Sequence, residues 1–543
     1  MTAQAVSVSR AGQADDGPAG SGFGGLLRAE WIKFRSVRGW VIGMLIATLL
    51  IIFLDVFTGA NAGIGCQLNG GPVKTGKACL PPIPYGPGGQ VVSDSFAFAR
   101  HPLTGNGTLT ARVTSLTGEH ANLGNGPAQA GGGNNLVPGL DQWAKAGIII
   151  KQSTRPGSAY AAMMVTGSHG VRMQYNFTGD IAGMPGSVSA ASPRWLRLTR
   201  TGDTITGYDS ADGTHWTVVG TVRLAGLPAT AQVGMFATAP NYFVTQNSFG
   251  GSSDNGGPAQ ATGVFGDVSL TGSAPGTWTA ALVDGGGPIN LGTGSGQTPL
   301  TRSGGTFTLT GSGDIAPVTP GPGGGIPTMT IEQTLAGVFL GVILIVVIGA
   351  MFFSTEYRRG LIRTTLTATP RRGAVLAAKA VVIGAVAFAA GLVAAAVSIF
   401  VGVPREENNG EVLLHASALT EVRVVVGVAA VLGLTAVIAV ALGAILRRSA
   451  AAITVSVLIV VMPFLLTVLN VVPAGIGDWL LRLTPAAGLA IEQSVPRYSQ
   501  VYTTINPILG YWPLSPYAGF GVLCLWALGF LALALVLLRR RDA

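Results

Sequence analysis

Apolar residues along this chain fall into six long blocks, and the polar stretch between the first two has a different rhythm. The first block covers residues 40–57, enough to cross about 30 Å of hydrocarbon with slight help from its flanks. Five more cover residues 331–353, 378–403, 422–445, 451–472 and 517–538. Only residues 446–450 separate the fourth from the fifth, which predicts a helical hairpin. A signal peptide is the competing reading of the first block. The long stretch before it and the lack of a small-residue cleavage site argue against that.

From residue 90 to 272 the period drops to two. Trp195-Leu196-Arg197-Leu198-Thr199-Arg200 alternates apolar and polar positions, as a half-buried strand does. Residues 160–166 and 171–177 flank Gly167-Ser168-His169-Gly170 as a hairpin. Short strands joined by Gly, Asn, Asp and Pro turns, with no helical period, predict an antiparallel sandwich. The expected organisation is therefore a disordered tail (1–23), an interfacial helix with the first span (24–57), a linker (58–89), a β-sandwich (90–273), a Gly/Pro-rich linker (274–330) and a five-helix remainder (331–543). The fold class is an α-helical polytopic membrane protein of six transmembrane helices with an inserted all-β sandwich.

Composition supports that division. Charged residues make up 10% of the chain while Gly reaches 80 and Pro 31, a mixture that suits membrane spans plus a soluble insert better than one globular core. The net charge of +9 invites a nucleic-acid reading, but the basic residues gather at span ends, where they encode topology. Arg28, Lys33, Arg35, Arg38, Arg358, Arg359, Arg363, Arg371, Arg372, Lys379, Arg447, Arg448 and Arg539–Arg541 fall on one side; the opposite short loops hold little beyond Arg405, Arg482 and Arg497. This predicts cytoplasmic termini, residues 58–330 outside the cell membrane, and no nucleic-acid partner. No span carries an ionisable residue near its centre; Asp55 and Arg423 lie close to span ends. Ion-coupled transport needs such a group at depth, so any energy comes from elsewhere.

The insert offers little catalytic chemistry. Glycoside hydrolysis needs two carboxylates across the scissile bond, and Glu119 is the insert's one glutamate. Asp209 and Asp212 read as a D-x-x-D-G turn before they read as calcium ligands. Trp195 and Trp216 are the candidates for stacking on a sugar ring, but core packing is the better default for both. Residues 71–78 have Walker A glycine and lysine spacing, but Ala78 stands where Ser or Thr is required and no strand precedes it. Of three cysteines, Cys524 lies in the last span, while Cys66 and Cys79 fall in the exported linker, where a disulfide is expected. No metal ligands and no cofactor site are identified.

Residues 195–222, together with the later "VGMFA", resemble the concanavalin A-like lectin/glucanase (laminin-G-like) domains. The resemblance implies a jelly roll that binds a glycan or cell-wall ligand. Before the first span, Leu27, Trp31 and Phe34 share one helical face, as in a helix lying on membrane lipid. That segment, "LRAEWIKFRSVRGW", and "EYRRGLIRTTLTATPRRGAVLAAK" after the second span resemble the permease subunits of ABC-2-type ABC transporters. The resemblance implies a separate ABC ATPase subunit, which would hold ATP and magnesium, and a second permease copy or homologue. It also implies an ATPase contact surface made of Glu30, Lys33, Arg35, Glu356, Arg358, Arg359, Gly360, Arg363 and Thr364. The chain itself is expected to be no enzyme. Mechanotransmission to an external partner and membrane-anchored adhesion are the rival functions.

Overall fold

The computed structural model describes residues 22–61, 65–66, 74–123, 136–248, 251–272, 276–289, 298–320, 328–358, 360, 371–414 and 416–540. The expected disordered tail falls almost wholly outside these residues. Two bodies result, a helical bundle and a β-sandwich inserted after the first long helix.

The bundle opens with α1 (Phe23–Ser36) and α2 (Arg38–Asn61). After the insert come the single turn α3 (Ile331–Thr334), then α4 (Val338–Arg358), α5 (Arg372–Asn408) and α6 (Ala418–Leu446). The chain finishes with α7 (Ser449–Val460), α8 (Met462–Val468), α9 (Ala474–Leu483) and α10 (Pro516–Arg540). Among the described residues five helices, α2, α4, α5, α6 and α10, are long and apolar enough to cross a membrane. The block at 451–472 is instead a bent pair, α7 and α8, meeting at 43°. Pro463 sits in the first turn of α8; a proline has no N–H to continue the α7 ladder.

Each start and stop has a local cause. Thr330 and Gln333 form a reciprocal capping box, the Gln333 side chain accepting from Thr330 N–H at 2.9 Å. This closes the N-terminus of α3 before the chain enters α4. Gly360 ends α4 with φ +68, its N–H donating to Tyr357 O at 3.1 Å, the glycine stop that a helix C-terminus favours. Within the bundle the small residues do what lipid surroundings require of them. A Cβ on Gly433 would lie 3.0 Å from the Gly384 carbonyl oxygen, and one on Gly391 3.0 Å from Ala429 Cα. Helices α5 and α6 approach that closely only because these positions are bare.

The sandwich has a seven-stranded sheet in the order Gly179–Ala182, Val171–Tyr175, Tyr160–Thr166, Lys145–Lys151, Thr230–Thr238, Phe96–Thr104, Thr279–Val283. The facing sheet runs Thr217–Arg223, Thr204–Ser210, Arg194–Thr201, Gly107–Ala121, Ala259–Thr271, Thr306–Ser312, Leu300–Ser303, with Leu136–Pro138 paired beside Gly107–Ala121. Leu196, Leu198, Ile148, Ile150, Met163, Met235 and Phe265 interdigitate between them. The outer side of the seven-stranded sheet carries a second apolar cluster of Phe96, Phe98, Tyr160, Phe177 and Phe236. Both faces of that sheet are covered, which is why Lys145–Lys151 and Tyr160–Thr166 are buried at every position.

One expectation fails here. Residues 274–330 are not a linker: Thr279–Val283, Leu300–Ser303 and Thr306–Ser312 belong to the two sheets, and Ile315–Pro317 pairs with Val92–Asp94 to close the domain. Gly-rich turns disguise these strands in the sequence, although Thr306–Ser312 alternates half-buried and buried residues throughout.

Burying Lys145–Lys151 also buries its terminal lysines. Lys151 Nζ donates to Asp94 Oδ2 at 2.6 Å, with both side chains inaccessible, and Gly157 N–H donates to the same oxygen at 2.7 Å. Removing one member of such a pair costs about 3–5 kcal/mol, because the other is left buried and uncompensated. Lys151→Met should therefore destabilise the sandwich by that amount in denaturant titrations followed by tryptophan fluorescence. The double variant Asp94→Leu/Lys151→Met should recover most of it. Equal losses in both variants would show that the pairing does not matter.

Candidate functional site

The two ends of the bundle differ in chemistry. At the end where α10 finishes, α1 lies against α4 and α5. Phe34 is buried against Phe352 with ring centroids 6.3 Å apart, and Trp40 meets the same ring at 5.8 Å. Trp31 and Ile32 remain exposed. Beneath this contact, the fully buried Lys379 of α5 donates to Glu30 Oε2 at 2.7 Å and to Glu356 Oε1 at 2.6 Å. Lys33 reaches the same two carboxylates at 2.9 and 3.5 Å. The Phe352 and Phe353 rings stand 5.2 and 6.0 Å from the Lys379 ammonium, within cation–π range. Two carboxylates and two ammonium groups thus neutralise each other where α1, α4 and α5 converge.

Three of the residues assigned to an ATPase contact, Glu30, Lys33 and Glu356, are brought together by this knot, but Glu30 and Glu356 turn inward. Glu30 is 3% exposed. Their role is to hold α1 against the root of the following loop. Arg35 is exposed, and Gly360 is the exposed helix stop already described. Arg359, Arg363 and Thr364 lie outside the described residues, as does the side chain of Arg358. The residue that sequence reasoning undervalued is Lys379: it closes the second motif, yet counted only as one more positive charge.

At the other end, residues 493–511 fold over the bundle and grip the sandwich. Ser499 Oγ donates to Asp180 Oδ2 at 2.8 Å, and the buried Gln500 Nε2 donates to Phe177 O at 2.6 Å. On the bundle side, Ser494 gives both its backbone N–H and its hydroxyl to Glu332. Val91, Val318, Val412, Leu414, Val495 and Tyr511 form an apolar cluster at the seam. The chain entering and leaving the sandwich is seated as well: Thr328–Met329 pairs in parallel with Val412–Leu413, and Lys77 lies 3.5 Å from Glu407. Gly76, at φ +70, crosses so close to α5 that a Cβ would lie 2.2 Å from Asn408 O.

This end also collects buried carboxylates that no local sequence pattern groups. Asp55 accepts from Gly337 N–H at 2.6 Å, Glu406 accepts from Thr334 Oγ1 at 2.7 Å, and Glu332 and Glu492 are buried nearby in the fold. They stand at span ends rather than span centres. Burial pushes the Glu332 carboxyl up from its ordinary value.

Trp195 and Trp216 lie away from the seam. The Arg197 guanidinium stacks on Trp216 at 3.7 Å and Arg112 lies 5.7 Å over Trp195. Trp216 Nε1 donates to Gly213 O at 3.0 Å, and a Cβ on Gly213 would fall 2.7 Å from the Trp195 ring. Asp212 Oδ1 accepts from the N–H groups of Thr214 and His215, each at 2.8 Å, while Asp209 accepts from Met184 N–H. The D-x-x-D-G segment is a turn built on its own hydrogen bonds, and both indoles pack on it and on arginines. Among the described residues no group of acidic, His or Cys side chains could hold a metal ion.

Long apolar helices with a stitched-on sandwich define a multi-pass membrane protein. The chain belongs to the ABC-2 family of transporter proteins, whose description matches residues 204–543, more than half of its length. None of the curated proteins matches it. Similar solved structures include a functionally unknown protein from Saccharomyces cerevisiae (14% identity, covering 39% of this chain and 88% of that one, TM-score 0.22). Another is scytalido-glutamic peptidase with a transition state analog inhibitor (13% identity, 42% of this chain and 100% of that one, TM-score 0.25). Scores this low assign neither a shared fold nor a shared activity.

Two outcomes follow from the clamps. Lys379→Met leaves the buried Glu30 and the half-buried Glu356 with only the partly exposed Lys33 as counter-ion, a loss of up to about 3 kcal/mol, so α1 should loosen and trypsin should cut at Lys33 and Arg35 faster in detergent; Lys379→Arg should protect better than Met. Unchanged cleavage in the Met variant would refute the knot. At the seam, burial alone would raise the Asp180 carboxyl. Hydrogen bonds from Arg172, Ser499 and Gln174 outweigh that and hold it below its ordinary 3.8. A depressed carboxyl contributes its stability above the unfolded value and loses it as pH falls through the folded value. Hydrogen exchange over residues 498–502, corrected for intrinsic rate, should therefore stay the same from about pH 7 to about pH 5. Loosening within that window would contradict the assignment.

Proposed function

We propose that this chain is the membrane-spanning permease subunit of an ATP-binding cassette transporter, moving a substrate at the expense of ATP hydrolysed by a separate subunit. In this reading the bent pair α7 and α8 counts as one span, giving six. Both termini are cytoplasmic, and residues 58–330 stand outside. ATP and magnesium belong to the partner ATPase, and a second permease copy or homologue completes the complex. Cys66 and Cys79 form the external disulfide, supported by Cys79 being engaged while Cys524 is free.

The observation that carries the reading is the Glu30–Lys379–Glu356 knot. It fixes α1 and the end of α4 as one platform, and the segment that follows α4 in sequence, with Arg358, Arg359, Arg363 and Thr364, is the contact assigned to the partner. Nucleotide binding acts as a population shift: ATP must favour one arrangement of the bundle over another, and a rigid platform transmits that preference without dissipating it. The external sandwich is a glycan- or ligand-binding domain. A second reading, mechanotransmission to an external partner, is favoured by the Ser499–Asp180 and Gln500–Phe177 bonds. Through them the sandwich can follow movement of the bundle even if nothing crosses.

Exchanging Arg359 and Arg363 for Glu should abolish copurification of the ATPase under gentle detergent while membrane insertion stays normal. Unchanged association would sink the docking assignment. ATPase-dependent uptake into vesicles separates transport from mechanotransmission.

A further inference from the structure

Between the sandwich and residues 500–511 lies a cleft of about 720 Å³, within the size range of small-molecule sites. Loops at one end of the two sheets supply Asp141, Trp143, Tyr242, Phe243, Asp284 and Asp314; the overlying segment of the bundle supplies Tyr502 and Tyr511. The returning chain, through Thr319 and Pro320, forms part of its wall. Neither body makes this space alone.

Its charge is one-sided. Among the described residues that line it there are three aspartates and no Lys, Arg or His. Asp314 is matched from behind by the fully buried Lys145, at 2.5 Å. Asp141 and Asp284 take part in no salt bridge among the described residues. Asp141 is half-buried, and its one strong bond is from Trp143 N–H at 2.7 Å. Burial pushes its carboxyl up, the nearby Asp314 adding to the rise and the Trp143 bond, Lys145 and His120 behind the lining opposing it. Beside these carboxylates are exposed or half-buried aromatic faces, with Tyr502 65% exposed. Tyr511 is a second polar group of the lining with bonding capacity to spare. It is 2% exposed and its hydroxyl makes no hydrogen bond of ordinary geometry, although Thr319 lies beside it. A buried orphan hydroxyl is costly unless something else satisfies it.

We propose that this cleft binds an amphipathic organic cation, an amine on an aromatic or aliphatic body, with its ammonium against Asp141 and Asp284 and its body on the rings of Tyr242, Phe243 and Tyr502. An ammonium supplies the positive charge that the lining lacks, and the aromatic faces attract it in turn. The proposal names the ligand class of the external domain given above, so its biological role rests on that reading; the binding itself does not. Because Tyr511 and the Ser494–Glu332 bonds belong to the same segment, an occupant touches both the sandwich and the part of the bundle anchored at the head of α4.

The test uses the full chain in nanodiscs and three probes that share one body: 4-phenylbutylamine, 4-phenylbutanol and 4-phenylbutanoate, titrated by calorimetry. The amine should bind roughly 30-fold tighter than the alcohol, the equivalent of about 2 kcal/mol from the half-buried Asp141 carboxylate and the ring faces together, and the carboxylate weakest. Asp141→Asn keeps the Trp143 bond and should cost the amine at least about tenfold while sparing the alcohol. Asp284→Asn should act likewise, and the exposed Tyr502→Ala should weaken amine and alcohol together, so a folding failure in one variant leaves two others. Equal binding of amine and alcohol, preference for the carboxylate, or calcium or a neutral oligosaccharide binding in the amine's place would overturn the proposal. ATPase copurification is scored separately: amine binding without ATPase association would fault the permease reading alone, and the reverse would fault this site alone.

Discussion

A single ammonium group, that of Lys379, sets the geometry of the end where α1, α4 and α5 converge. Helices α1, α4 and α5 come from separate regions of sequence, and side chains alone must bring them together. What fixes their convergence is that Glu30 is withdrawn from water and Glu356 largely so, and a withdrawn carboxylate must find a cation. Phe34, Phe352 and Trp40 then seal the pocket around it. The order of causes matters: the aromatic packing excludes water, and the exclusion is what makes the charge pairing strict. An arginine could satisfy the carboxylates but would not fit the same compact site as a point charge does.

The opposite end is held by many weaker contacts instead. Short strands, backbone-directed side-chain bonds and one apolar cluster join the sandwich to the bundle, and no single group dominates. Such a seam tolerates the loss of any one bond yet still fixes the register of the two bodies. The two ends are therefore built on different principles. One end is a compact platform, and the other is a broad surface of contact between domains.

Much of this was legible in the sequence. The apolar blocks read as spans because a run of about 18 or more apolar residues is long enough to cross the hydrocarbon core. The alternation of Trp195–Arg200 read as a strand because the sandwich buries one side of it. Three features were not legible, for distinct reasons. The strands between 279 and 317 are short and interrupted by Gly-rich turns, so their period never extends far enough to outweigh the composition. The break at Val461 follows from one proline in an otherwise unbroken apolar run, where Pro463 could equally have been a tolerated kink. The partnership of Lys379 with Glu30 spans 349 residues, and nothing local announces it. For the aromatic pair Trp195 and Trp216 the sequence favoured packing over recognition, and Arg112 and Arg197 do stand over their rings. The seam and its cleft depend on two domains meeting, which no local pattern encodes.

The seating of Gly76 against Asn408 has a mechanical consequence. The chain leaves for the sandwich by pressing on the far end of α5 and returns beside Val412–Leu413, just past that same end. With residues 493–511 gripping the sandwich beside these two points, the domain is braced as a lever arm whose fulcrum is the tip of α5. Lys379 lies near the other tip of that helix. A tilt of α5 set at the platform would therefore be magnified in the sandwich in proportion to its height above the fulcrum, and a load applied to the sandwich would be felt at the platform as torque.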